Sequence, residues 1–223
     1  MDRTILSQAM EDYLKAIFEL QKFDEQISTS ALAEYLRVAP ASVTNMLKKL
    51  ADLNLIHYEP YRGATFTPAG RKLVLEVVRH HRLIELYLAE ALGVPWDRVH
   101  EEAEKLEHVI SEDLEERMAA ALGDPKFDPH GAPIPTRAGD FDQPTSNRLV
   151  DMTTGDRLVV IEVDDRDPEL LRYLGQLGIY PGTKLVVLSF APFKGPLTLS
   201  SGEDEVSLGY QVAKSILVAH QEE

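Results

Sequence analysis

The spacing of apolar residues changes once along this 223-residue chain, and no other feature limits its fold as tightly. Up to residue 122 they recur every three or four positions, the period of helices that bury one face. From residue 158 they form short alternating runs at 158–163, 184–190, 197–199, 205–208 and 215–219, which predict strands. Between these parts, residues 123–147 are rich in Pro, Gly and Asp and predict a linker or irregular arm. His130 is the one histidine in it and by itself does not argue for a ligand. A mainly α chain with a small β part is therefore expected, the strands forming a small barrel with a short helix at 168–177 after the first of them.

Within the helical part, a first helix is expected over 7–22, with Tyr13, Leu14, Ile17, Phe18 and Leu20 as its apolar stripe and Asp12 beside it. Ser28 or Thr29 caps a second helix over 30–36, and Pro40 opens a third over 41–53 with Val43, Leu47 and Leu50 inward. Two short helices joined by a tight turn predict a helix-turn-helix. Residues 56–59 and 64–67 alternate around Pro60-Tyr61-Arg62-Gly63 and predict a hairpin, which makes the order that of a winged helix.

Ser42, Thr44, Asn45, Lys48 and Lys49 point outward on the third helix, and such hydroxyls, amides and ammoniums suit base edges and phosphates. Thr29, Arg37, Ala39 and Pro40 around the turn, with Tyr61 and Arg62 in the hairpin, complete the candidate DNA contacts. The net charge of −14 does not oppose this reading. Residues 1–80 carry 10 Lys+Arg and 10 Asp+Glu, whereas residues 81–223 carry 13 and 27. The plainer alternative is a three-helix core whose polar face is only solvated.

Thr67 and Pro68 open a long helix that Gly93 ends, with Leu73, Val77, Ile84 and Leu88 on its core face. After Pro95 the seam Val99, Ala103, Leu106, Ile110, Leu114, Met118 and Leu122 is long for a small domain, so part of it is expected to face a second subunit. Ser111, followed by Glu112 and Asp113, is placed to restart the helix with a new cap.

Residues 81–108 concentrate ligand-type side chains: His81 and Glu85, then His100, Glu104, Glu107 and His108. At 100° per residue His81 and Glu85 stand about 40° apart, and Glu104, Glu107 and His108 fall at about 40°, −20° and 80° from His100. Carboxylates crowded on one arc repel unless a cation or basic groups offset them, so the spacing points to a divalent-metal site. On the residues alone, a solvated acidic face remains the alternative. The chain has no Cys, which excludes disulfides and thiolate sites, and no stretch approaches the roughly 20 apolar residues of a membrane span, so a soluble, cytoplasmic protein is expected.

With the winged helix and the barrel, six motifs make the chain resemble the diphtheria-toxin-repressor family of metal-dependent transcriptional regulators over nearly its whole length. They are Met10-Glu11-Asp12-Tyr13-Leu14, Pro40-Ala41-Ser42-Val43-Thr44, Tyr61-Arg62-Gly63, Thr67-Pro68-Ala69-Gly70, His81-Arg82-Leu83-Ile84-Glu85 and Glu104-Lys105-Leu106-Glu107-His108-Val109. The resemblance implies a winged helix-turn-helix in residues 1–70, a helical dimerisation and metal-binding domain in 71–143 with its linker from about 123, and an SH3-like (FeoA-like) barrel in 148–223. It implies a homodimer, not an enzyme, that binds a palindromic operator in double-stranded DNA when metal-loaded and represses metal-uptake genes. Neither a membrane nor a small-molecule substrate is implied.

By position, the resemblance assigns a primary metal site to Asp12, Glu104, Glu107 and His108 and an ancillary site to His81, Glu85 and His100. Asp167 and Glu169 lie in the barrel region from which the iron-responsive branch draws further ligands. That branch places sulfur where this chain has Asp12 and Glu104, as the manganese-responsive branch does, and oxygen donors suit Mn(II). Mn(II) is the first choice and Fe(II) the second, with two ions per subunit. Lys15 stands where the manganese branch often has a carboxylate, and that branch typically lacks both barrel and ancillary pair, so the chain reads as manganese-type ligands on an iron-type scaffold. The rivals are a metallohydrolase activating water on the His/Glu cluster and a metal-independent winged-helix interaction protein.

Overall fold

The structure, a computed structural model, describes residues 6–22, 25–140, 144–202 and 204–221. It divides into two compact units, residues 1–80 with 135–140 and residues 81–134 with 141–223.

In the first unit, α1 (Gln8–Leu20), α2 (Thr29–Leu36) and α3 (Pro40–Asp52) precede the hairpin β1 (Ile56–Glu59) and β2 (Gly63–Phe66), and α4 (Pro68–Leu92) begins. Leu14, Ile17, Leu32, Val43, Leu47 and Leu50 are fully buried, so the three stripes meet in one core. Ser28 is the cap of α2, its hydroxyl accepting from Ala31 N at 3.1 Å. Arg37 ends α2 in the left-handed conformation (φ 54°), which turns the chain sharply enough for Pro40 to start α3 three residues later. Gly63 begins β2 at φ 99°, and a Cβ there would stand 2.7 Å from Ile27 O, with which Ala64 N pairs at 3.0 Å. Thr67 caps α4 by accepting from Gly70 N (3.0 Å) while donating to Asn54 O (2.7 Å), which ties the new helix to the end of α3.

The second unit takes the later turns of α4, then α5 (Val99–Leu106) and α6 (Glu112–Ala121). Ser111 accepts from Leu114 N at 3.3 Å, and Glu112, Asp113 and Glu115 sit in the first turn of α6, where the helix dipole favours them. Leu106 and Leu114 of the long seam, and Val109 beside it, are exposed in the single chain.

The Pro/Gly segment is irregular, as expected, but not loose: residues 130–134 are buried. Asp128 Oδ1 accepts from His130 N (2.8 Å) and Ala132 N (2.9 Å), closing a turn, and His130 O accepts from Val163 N at 3.0 Å. Gly131 (φ 91°) makes that approach feasible, because a Cβ would lie 2.0 Å from Ile161 O. Residues 141–143 of the expected linker lie outside the described residues.

The remaining strands are β3 (Asn147–Arg148), β4 (Arg157–Val163), β5 (Lys184–Phe190), β6 (Leu197–Ser201), β7 (Asp204–Leu208) and β8 (Ile216–His220). They pair antiparallel in the order β3-β8-β4-β5-β6-β7, an SH3-like arrangement. Here α7 (Pro168–Gln176) contributes Leu171 and Leu174 to a core shared with Leu158, Val160, Leu185, Leu199 and Val218. β3 and α8 (Tyr210–Lys214) were not expected from the sequence, because two and five residues are too short to show a period. Among the described residues no helix is long and apolar enough to cross a membrane.

Candidate metal centre

Five segments of the second unit bring ligand-type side chains together: α4 carries His81 and Glu85, α5 carries His100 and Glu104, its C-terminal end Glu107 and His108, the buried arm Asp128 and His130, and the β4–α7 loop Asp165. His81 lies between two fully buried carboxylates, its Nδ1 2.5 Å from Glu107 Oε2 and its Nε2 2.9 Å from Glu85 Oε1. Both ring nitrogens can donate only in the imidazolium form. His100 Nδ1 meets the same Glu85 oxygen at 3.0 Å. Glu104, partly exposed, stands 3.8 Å from both His81 Nδ1 and His100 Nε2, and His108 Nε2 is 3.3 Å from Glu107 Oε1. His81, Glu104 and Glu107 thus offer ligand atoms within 4.8 Å of one another.

The other oxygen of Glu85 has a different environment. Glu85 Oε2, Asp128 Oδ2 and His130 Nδ1 are all buried and make no hydrogen bond: Glu85 Oε2 and His130 Nδ1 face each other at 3.8 Å, Asp128 Oδ2 has Arg82 Nε at 3.7 Å, and the three residues offer ligand atoms within 4.8 Å of one another. Asp165 Oδ2 stands 3.8 Å from His130 Nδ1 and 3.6 Å from His100 Nδ1. Each buried polar atom left unpaired costs about 1–3 kcal/mol, a penalty that a shared divalent cation removes.

The titration shifts follow from this crowding. Burial alone would raise the Glu85 carboxyl, but the His81 charge, the hydrogen bonds from His100 and His81 and the approach of His130 hold it well below the usual carboxylate range. Burial likewise opposes protonation of His130, yet the Glu85 oxygen facing its Nδ1 and the charges of Glu85, Asp165 and Asp128 push it up to about 10. Burial, and then the neighbouring Glu85 charge, raise Asp128 to about 7 against the opposing pull of His130 and Arg82. Protons therefore stand where a cation would neutralise the same groups.

The structure does not bring Asp167 and Glu169 to this cluster, and the expectation for them is corrected. Both are exposed, and Asp167 caps α7, its Oδ1 accepting from Glu169 N (2.9 Å) and Leu170 N (3.3 Å). The barrel carboxylate beside the histidines is Asp165, two residues earlier. Asp128 and His130 were also missed. Their local signal was Asp128-Pro129-His130-Gly131, and its meaning depends on how the arm packs on β4. Asp12 is half-buried on α1, in the first unit.

In that unit α3 presents Ser42, Asn45, Lys48 and Lys49 to solvent. Thr44 is half-buried and its hydroxyl donates to Pro40 O at 3.1 Å, so the helix backbone engages it. Arg37, Ala39 and Pro40 are exposed in the turn, while Thr29 is half-buried at the start of α2. Tyr61 is fully exposed at the hairpin tip with φ 67°, and Arg62 Nη1 donates to Glu59 Oε2 at 3.2 Å.

Known proteins share this organisation. Residues 5–64 match the family described as iron dependent repressor, N-terminal DNA binding domain, and residues 67–136 match its metal binding and dimerisation domain. Residues 147–220 match the FeoA domain. The chain is 29% identical to the iron-dependent repressor IdeR of Mycobacterium tuberculosis over 220 residues, covering 93% of this chain and 95% of the relative. It is 31% identical to the diphtheria toxin repressor of Corynebacterium efficiens over 189 residues, covering 80% and 82%. A solved manganese-dependent transcriptional repressor in complex with manganese superposes with a TM-score of 0.89 at 36% identity, covering 95% of this chain and all (100%) of the other.

Proposed function

Because this chain belongs to the diphtheria-toxin-repressor family of metal-dependent transcriptional repressors, we propose that it is a homodimeric Mn(II) sensor. When metal-loaded it binds a palindromic operator in double-stranded DNA and represses metal-uptake genes. The observation that carries the metal reading is the convergence of three buried atoms that make no hydrogen bond, Glu85 Oε2, Asp128 Oδ2 and His130 Nδ1. Two carboxylates and one imidazole, with the Asp165 carboxylate adjacent and no sulfur, form a hard donor set that suits Mn(II), with Fe(II) next. The manganese bound by a similar repressor and the iron dependence of IdeR support that order.

Two ions per subunit follow. Glu104, Glu107 and His108 hold the first, and Asp12 of the first unit is the ligand that the family resemblance adds. Glu85, Asp128, His130 and Asp165 hold the second; His81 and His100, which with Glu85 and Asp165 also offer ligand atoms within 4.8 Å of one another, meet Glu85 at its Oε1. A bound divalent ion supplies positive charge that relieves carboxylate repulsion. With Asp12 engaged alongside Glu107, the helix-turn-helix is held in the arrangement in which the dimer's two α3 helices meet half-sites roughly 34 Å apart. DNA binding and metal binding then strengthen each other by the same factor.

Operator affinity measured anaerobically against Mn(II), Fe(II) and Zn(II) tests this. Mn(II) is expected to raise affinity by about 100-fold, some 2.7 kcal/mol, and equal affinity with and without metal would overturn the reading. The DNA face has its own test. Lys48→Ala should weaken operator and random DNA alike and lower the salt slope by about 1, whereas Asn45→Ala should change sequence preference. Equal losses on both DNAs for the two variants would remove Asn45 from base reading.

A further inference from the structure

Trp96, the one tryptophan of the chain, stands against the second metal set without being a ligand. Its carbonyl oxygen is 2.8 Å from His130 Nε2. A carbonyl only accepts, so Nε2 keeps its proton, and Nδ1 is the nitrogen whose proton a metal ion would displace and whose lone pair it would take. That nitrogen is the one facing Glu85 Oε2 and Asp165 Oδ2, each at 3.8 Å. The indole also lies stacked over the His130 ring, centroids 5.8 Å apart and planes 29° from parallel. Tautomer and ring plane are thereby set by one residue.

On another side the same indole packs on the barrel. Tyr180 meets it at 4.8 Å between centroids, and Tyr180 OH donates to Gly175 O at 3.3 Å. Gly175 leaves room for both rings, since a Cβ there would stand 3.0 Å from Tyr180 Oη and 3.4 Å from Trp96 Nε1. The next residue, Asp97, pairs with Arg172 of α7 at 3.4 Å. Trp96 therefore sits where the helical part, the arm and the α7–β5 turn meet.

We infer that Trp96 is the positioning residue of the second metal set: it fixes the imidazole of His130 for metal and ties that set to the seat of the barrel. This rests on the proposed reading of Glu85, Asp128, His130 and Asp165 as metal ligands. Groups that orient a ligating histidine typically change metal affinity 10–100-fold when removed.

The test uses the full chain titrated with Mn(II) by calorimetry, with tryptophan fluorescence as a second readout. In the native protein, filling the second set should change the Trp96 emission, and His130→Ala should abolish that change. Trp96→Ala keeps the backbone carbonyl and removes only the stacked indole, so it should weaken the second set about tenfold, the lower end for an outer partner, and leave the Glu104, Glu107 and His108 set within about twofold, while Trp96→Phe, which keeps a flat ring on His130, should restore most of the affinity. A purely structural Trp96 would instead lower the melting temperature equally with and without Mn(II) and leave both affinities unchanged, which overturns the inference. Should Trp96→Ala fail to fold, Trp96→Leu fills the space without a flat face, and loss with Leu but not with Phe supports the same role. Equal affinity in the Leu and Phe variants overturns it. If His130→Ala and Asp128→Ala themselves bind Mn(II) like the native chain, the reading of the second set fails. If they lose a site that Trp96→Ala keeps, the positioning role alone fails.

Discussion

Glu104→Gln and His108→Ala each remove Mn(II)-dependent operator binding while the chain stays folded and dimeric. The expected loss is at least about 100-fold, near or beyond the 10–100-fold that changing an outer partner of a ligand usually brings. These two residues are chosen for a physical reason. Glu107 and Glu85 are fully buried against His81, so truncating either leaves a buried ring nitrogen of His81 without its carboxylate and costs folding as well as metal. Glu104 is partly exposed and stands 3.8 Å from His81 and His100, so its amide analogue removes charge while keeping the shape of the side chain. Anisotropy of labelled operator DNA at fixed Mn(II), alongside circular dichroism and sedimentation, reads the outcome. Metal-dependent binding retained by both variants would take these residues out of the sensing site.

Gly70→Ala should unfold the DNA-binding unit without emptying the second metal set. Gly70 sits in the first turn of α4, and a Cβ there would stand 1.8 Å from Leu55 O and 2.6 Å from the Leu55 carbonyl carbon. Both atoms are backbone at the entry to β1, so no side chain can swing away. The helix would have to leave the hairpin, and with it the Thr67 cap that joins Gly70 N to Asn54 O. A cost on the order of 3–5 kcal/mol is expected, a large share of the stability of a small unit. Operator binding should vanish even at saturating Mn(II), while calorimetry still records binding by Glu85, Asp128 and His130. The exposed neighbour supplies the control, since Ala69→Gly should cost about 1 kcal/mol and preserve DNA binding. A Gly70→Ala protein with native urea melting and operator affinity would show that α4 and Leu55 can separate freely.

Several interactions spanning four residues or fewer were legible from the amino-acid order. The caps at Ser28, Thr67 and Ser111 form as their positions suggested, and Val43, Leu47 and Leu50 face inward at helical spacing. The stacking of His81 over Glu85 is equally local, because one helical turn places them together whatever surrounds them. Period and capping chemistry settle such features before the chain collapses.

Tertiary structure decided which groups from distant segments meet. Asp165 reaches the histidines while Asp167 turns away to cap α7, a choice between two carboxylates two residues apart that no periodicity can make. Asp128 and His130 face Glu85 only because Gly131 lets the arm close on Ile161 and Val163. Atoms brought within reach across 45 residues of chain, as Glu85 and His130 are, owe their approach to packing and burial. Local propensity carries no record of that distance.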